Sequence, residues 1–215
     1  CVAYDNMQRF FPADRILLTG NPVRQNLLHT KLTPEEARKS LGLRPDVKTI
    51  LVIGGSLGAR TLNESVLSER VHLEAHPEVQ ILWQTGGYYK DAIAERLKTE
   101  GQPDNLVVTD FVTDMGAAYA AADLVISRAG ASSISELALL GKPAILVPSP
   151  NVAEDHQTHN ALALVDKEAA LYVKDNEAFD ELIPLALNTI ADDALLSKLA
   201  HNVQQLAHPD AAARI

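Results

Sequence analysis

The sequence predicts an α/β protein built on a doubly wound parallel sheet. Three observations carry that expectation. Short runs rich in valine, isoleucine and leucine recur along the 215 residues, longer amphipathic segments separate them, and the polar or glycine-rich loops fall where a strand would run into a helix. With 47% hydrophobic and 22% charged residues the composition is that of an ordinary globular protein, and the length suffices for one sizeable core, so one folded domain is expected.

Taken in order, the strand candidates are residues 16–18, 49–53, 80–83, 106–108, 124–126, 144–147 and 171–173, short apolar runs of the kind found in buried parallel strands. The helix candidates are residues 34–40, 59–74, 89–99, 115–121, 132–140, 156–166, 177–190 and 194–206. The only boundary candidate is the polar, proline-containing stretch 5–14. Residues 1–14 are therefore expected to be the remnant of an interdomain connector, which the aromatic Tyr4, Phe10 and Phe11 suit, and residues 15–215 the folded domain. The opening Cys1-Val2-Ala3-Tyr4 does not read as a signal peptide, since no basic start or small-residue cleavage site accompanies it.

A formal net charge of −9 argues against nucleic acid, or an anionic membrane, held by broad electrostatics, because both require a basic surface. Any phosphate must be held locally, by helix N-termini and glycine-rich turns. The longest apolar runs, such as 49–53 and 144–147, fall far short of the roughly 20 residues of a membrane span. The single cysteine, Cys1, agrees with a reducing compartment, and the expected location is cytoplasmic.

Three loops at expected strand ends carry the chemistry. The first is Gly54-Gly55-Ser56-Leu57-Gly58-Ala59-Arg60, whose glycines allow a tight turn and close approach of a phosphate, with Ser56 adding a hydroxyl. It matches neither the Walker loop nor the dinucleotide fingerprint, and a ligand-free turn explains it equally well. The second is Ser127-Arg128-Ala129-Gly130-Ala131-Ser132-Ser133-Ile134-Ser135-Glu136, where small residues and the hydroxyls of Ser132 and Ser133 leave the first helical amides open to a diphosphate. Glu136, one turn further in, is placed either to accept both hydroxyls of a ribose or to close a capping box with Ser133. The third loop tips that balance towards a ligand. It runs from Pro148 to Asn160 and ends in His156-Gln157-Thr158-His159-Asn160, amide and imidazole groups suited to sugar hydroxyls.

His156 and His159 beside Asp155 raise the question of a metal, but no third ligand at helical spacing is evident and the H-E-x-x-H pattern is missing, so none is expected. The remaining histidines, His29, His72, His76, His201 and His208, read as solvated surface. Gly20-Asn21-Pro22-Val23-Arg24 is expected to end the first strand and start a short helix, with the Arg24 guanidinium either a surface charge or facing a nucleotide. Trp83-Gln84-Thr85-Gly86-Gly87 reads as a structural turn.

Together these motifs, in this order, resemble the donor half of the MurG family of GT-B glycosyltransferases, from about residue 4 to residue 173. The resemblance implies the Rossmann-like C-terminal half of a GT-B enzyme that uses UDP-N-acetylglucosamine for inverting transfer of N-acetylglucosamine to the undecaprenyl-diphospho-muramoylpentapeptide lipid. That reaction belongs to peptidoglycan synthesis, and so to cell shape and division. It implies that Glu136 binds the ribose, Ala131, Ser132 and Ser133 the diphosphate, and the Val112 backbone the uracil edge. Ser56 would line the same cleft, Gln157 with His156 would hold the sugar hydroxyls, and Asn160 and Arg24 would border the nucleotide. No cofactor is implied. The family's N-terminal domain, which binds the lipid acceptor, contacts the cytoplasmic face of the inner membrane and supplies the catalytic base, has no counterpart in these residues, so donor binding without turnover is expected.

Two rivals remain at this point. A UDP-N-acetylglucosamine 2-epimerase shares the fold and would use a similar diphosphate site and glutamate, although His156-Gln157-x-x-Asn160 and Asn21-Pro22-Val23-Arg24 favour the transferase. A natural half-transferase, a donor module completed by a separate membrane-bound partner, is the other.

Overall fold

The computed structural model describes residues 1–2, 8, 11–24, 27, 30–152 and 155–215. Six strands, β1 (Lys48–Ile53), β2 (Val79–Gln84), β3 (Leu106–Thr109), β4 (Leu124–Ser127), β5 (Ala144–Leu146) and β6 (Leu171–Tyr172), form one parallel sheet in the order β3-β2-β1-β4-β5-β6. The expected doubly wound architecture is what the chain adopts.

The sheet is buried on both faces because its strands are apolar on both. In β1, Leu51 and Ile53 enter one core while Ile50 and Val52 enter the other, and β4 divides in the same way, with Val125 opposed to Leu124 and Ile126. Helices α1 (Pro34–Ser40), α5 (Met115–Ala121), α6 (Ala131–Leu140), α7 (His156–Val165) and α9 (Asp193–Gln204) contribute to the first core. Helices α2 (Arg60–Ser68), α3 (Arg70–Glu74), α4 (Lys90–Glu100) and α8 (Ala178–Ala191) contribute to the second. A short α10 (Ala211–Arg214) follows.

Sequence order runs outwards from β1 through β2 to β3, then returns to place β4 on the other side of β1. That reversal leaves a crevice beyond the carboxyl ends of β1 and β4, the position where open α/β sheets bind ligands.

Several expectations change. Among the described residues, 16–18 do not join the sheet: Leu18 makes an isolated parallel bridge with Val2, Leu17 is an exposed apolar residue, and residues 3–7, which follow Val2, lie outside the described residues. The long helix expected over 59–74 is broken at Glu69 into α2 and α3. Residues 21–24 are not themselves helical, and 25–26 and 28–29, into which the expected short helix would run, lie outside the described residues. Of the expected connector, Tyr4, Asp5 and Phe10 lie outside the described residues, as does His29, while Ala13–Arg15 forms a single 3-10 turn.

Candidate functional site

One cleft of about 970 Å³ opens at the switch point, lined from both sides of the crevice. On one side lies the turn 54–58 between β1 and α2. Its shape is imposed by contacts that only glycine permits: Gly58 has φ +81°, and a Cβ there would come within 2.1 Å of the Thr85 carbonyl oxygen. Gly86 (φ +83°) answers from the β2 end, where a Cβ would meet the Gly58 nitrogen at 2.2 Å. The two turns interlock, and Asn63 of α2 reinforces the lock by donating to the Thr85 carbonyl (2.9 Å) and accepting from Trp83 Nε1 (3.0 Å).

Gln84, buried at the end of β2, links this turn to the base of α5. Its Nε2 donates to the Gly55 carbonyl (2.9 Å), and its Oε1 accepts from the Val112 amide (2.9 Å). The sequence suggested a purely structural turn at residues 83–87, but Gln84 also lines the cleft.

On the other side is the N-terminus of α6. The N-cap is Gly130 and no side chain caps it, so the amides of Ala131, Ser132 and Ser133 have no partner within the helix. Among the described residues the hydroxyls of Ser132 and Ser133 are likewise unengaged, and both residues face the cleft. The open amides and the helix dipole make this end a place for an anion. Glu136 stands one turn in and closes no capping box. Its Oε1 accepts from Arg24 Nε (3.0 Å) and Nη2 (2.9 Å), and its Oε2 accepts from Tyr119 Oη (2.9 Å). Tyr119 is 2% exposed, and burial together with the adjacent Glu136 carboxylate drives its phenol far above the ordinary tyrosine range.

The cleft is bounded further round by Ser149, Gln157 and Asp175. The Ser149 amide donates to Gln157 Oε1 (2.9 Å), which fixes the orientation of the side-chain amide and leaves its nitrogen as the donor. Arg128, at the end of β4, donates to the carbonyls of Val147 (3.1 Å) and Pro148 (3.0 Å) and pairs with Asp175. Asp175 in turn accepts from Thr61 Oγ1 (2.9 Å), so the ends of β4 and β5 and the start of α2 are tied around one edge of the site.

A family model for the glycosyltransferase family 28 C-terminal domain matches residues 49–215. The chain belongs to that family. Among family 28 relatives, one from Bacteroides thetaiotaomicron is named UDP-N-acetylglucosamine--N-acetylmuramyl-(pentapeptide) pyrophosphoryl-undecaprenol N-acetylglucosamine transferase. It is 59% identical over 99% of this chain and 57% of its own length. A relative of the same name from Cytophaga hutchinsonii is 49% identical over 100% of this chain and 57% of its own length. The chain thus spans little more than half of the curated relatives it matches. Among solved structures, MurG of Acinetobacter baumannii superposes with a TM-score of 0.70 at 31% identity, covering 93% of this chain and 55% of that one. A UDP-N-acetylglucosamine 2-epimerase superposes at 0.65 with 16% identity, covering 97% of this chain and 52% of that one, which is a likeness of fold.

Of the site residues expected from this family 28 sequence, Arg24, Ser56, Val112, Ser132, Ser133, Glu136 and Gln157 come together around the cleft. Ala131 contributes the first residue of α6 without lining the cavity. His156 begins α7 at an exposed position and does not line the cavity. Asn160 points elsewhere: its Nδ2 donates to the Ala129 carbonyl (3.1 Å), supporting the turn before α6 from behind. The Val112 amide is already spent on Gln84, which leaves the carbonyl as the backbone group there without a partner among the described residues. Tyr119 and Asp175 were not singled out from sequence, and Gln84 and Arg128 were named only as members of their motifs, without a role. A buried tyrosine among alanines was the one available signal, since its hydroxyl requires a partner.

Proposed function

We propose that residues 15–215 form the donor-binding domain of an inverting N-acetylglucosaminyltransferase of peptidoglycan synthesis, with UDP-N-acetylglucosamine as the donor. The observation that carries this reading is that one helix, α6, presents to the cleft both an uncapped N-terminus and a carboxylate one turn further in. A diphosphate lies naturally on the first-turn amides of α6 beside Ser132 and Ser133, and the ribose then reaches Glu136. The Gly54-Gly55-Ser56 turn faces the same phosphates, the Val112 carbonyl meets the base, and the Gln157 amide nitrogen meets the sugar. In the transfer, the bond between the anomeric carbon and the β-phosphate oxygen breaks while a bond to an acceptor hydroxyl oxygen forms. Negative charge grows on the β-phosphate, where preorganised amides stabilise it.

The names of the relatives support the lipid-linked muramoyl-pentapeptide as acceptor. Because the chain spans 57% of those relatives, the acceptor and the base are assigned to an N-terminal domain of the whole protein, and residues 1–14 to the connector leading from it. Association with the cytoplasmic face of the membrane belongs to that domain too. Among the described residues no helix is long and apolar enough to cross a membrane. No metal or cofactor enters the proposal.

Calorimetry tests it: the chain is expected to bind both UDP and UDP-N-acetylglucosamine and to transfer no sugar to the lipid acceptor. A folded sample that gives no heat at millimolar ligand overturns the reading, and interconversion of free UDP-sugars would replace it with the epimerase.

A further inference from the structure

Glu136 is held from two directions that differ in kind. Arg24 approaches Oε1 from solvent, with a side chain 55% exposed, on a segment without regular structure. Tyr119 approaches Oε2 from within the core, on α5, at 2% exposure. An exposed ion pair is weak and exchangeable, whereas a phenol packed in a core has one rotamer and one partner. The carboxylate itself is only 12% exposed, so the donors that surround it determine its plane.

We propose that Tyr119 is the positioning residue for ribose recognition: its phenol pins Oε2 and fixes the plane of the Glu136 carboxylate so that the remaining acceptor positions face the 2′- and 3′-hydroxyls of the nucleotide. A carboxylate offers about four lone-pair positions, and the phenol occupies one. A diol needs two acceptors held at a fixed separation, and a carboxylate free to rotate about its last torsion offers that geometry for a fraction of the time. Burial keeps the phenol protonated throughout the working pH range, so it donates and does not compete with the ribose as an acceptor. The Arg24 pair has the opposite property, because its exposed guanidinium is free to turn to an arriving phosphate and leave Oε1 to the ligand.

The proposal rests on Glu136 as the ribose ligand, and its test separates the two. Dissociation constants for UDP and 2′-deoxy-UDP are measured on the whole chain, unsubstituted and with Tyr119→Phe or Glu136→Gln. Both ligands are titrated into the same preparation, so any unfolded fraction cancels from their ratio. The unsubstituted chain is expected to prefer UDP, Glu136→Gln to abolish most of that preference, and Tyr119→Phe to reduce it by about five- to tenfold while changing the affinity for 2′-deoxy-UDP much less. A purely structural tyrosine would weaken both ligands equally. If Glu136→Gln collapses the preference and Tyr119→Phe preserves it, the positioning role is wrong and the ribose assignment stands. If Glu136→Gln itself preserves the preference, the ribose is bound elsewhere and both fall.

Discussion

Two helix N-termini in this molecule carry the same sequence pattern and do opposite things. At the start of α1, Thr33-Pro34-Glu35-Glu36 closes a capping box: the Glu36 amide donates to Thr33 Oγ1 at 3.2 Å and the Thr33 amide donates to Glu36 Oε2 at 2.9 Å. At α6, Ser133-Ile134-Ser135-Glu136 has the same hydroxyl-x-x-Glu spacing and closes nothing, because the helix begins two residues earlier, after Gly130. Ser133 is then already inside the first turn, and Glu136 projects into the cleft towards Arg24 and Tyr119. The hydroxyl-x-x-glutamate pattern marks a cap only when the hydroxyl sits at the helix boundary. One end is sealed for stability, and the other is left open where an anion can use it.

Substitutions at the two ends should therefore separate stability from binding. Glu136→Gln removes a charged acceptor and is expected to lower UDP affinity by about ten- to a hundredfold, from the roughly 1.5–3 kcal/mol of hydrogen bonds to a charged group. Melting should move little, since the Arg24 side chain is exposed and the oxygen of the substituted amide still accepts from the buried Tyr119 hydroxyl; calorimetry and thermal melts on one sample decide, and a melting drop with intact binding would make Glu136 structural. Ser132→Ala combined with Ser133→Ala should weaken UDP, UDP-N-acetylglucosamine and UDP-N-acetylgalactosamine together, by about tenfold, because the phosphates are common to all three. At the sealed end, Thr33→Ala should cost about 1 kcal/mol of stability, a fall of roughly 2–4 °C in Tm, with UDP binding unchanged. A change in UDP affinity there would mean that the two ends are coupled.

The smallest effect lies at the far wall. Gln157→Ala should narrow the affinity gap between UDP-N-acetylglucosamine and UDP-N-acetylgalactosamine by a few-fold while leaving UDP bound about as well, because only the sugar hydroxyl differs between the two. Competition titrations with the paired sugars read this directly. A preserved gap would move sugar selection away from Gln157.

The architecture was legible because parallel strands buried on both faces are continuous apolar runs, and the runs at 49–53 and 124–126 alternate with longer amphipathic segments. The loops were legible because a turn interlocked as tightly as Gly58 and Gly86 tolerates no side chain. What stayed hidden depends on where two segments meet. Tyr119 reads as one more core residue in an alanine-rich helix until α5 and α6 are placed side by side. Gln84 looks like the last residue of a strand, and its two backbone partners lie 29 residues before it and 28 after it. Asn160, drawn towards the nucleotide by its motif, is instead claimed by the Ala129 carbonyl. The run at 16–18 has the apolar pattern of a sheet strand, yet among the described residues its partner is Val2 and not the sheet.

The central claim is that the open end of α6 and its carboxylate form the donor site, and a crystal structure of the chain with UDP-N-acetylglucosamine tests it most directly. The diphosphate is predicted within hydrogen-bonding distance of the first-turn amides of α6 and of Ser132 and Ser133, with the ribose hydroxyls on Glu136 and the Arg24 guanidinium turned to the phosphates. A nucleotide bound outside the cleft, or one whose ribose leaves Glu136 still paired with Arg24, would contradict the account.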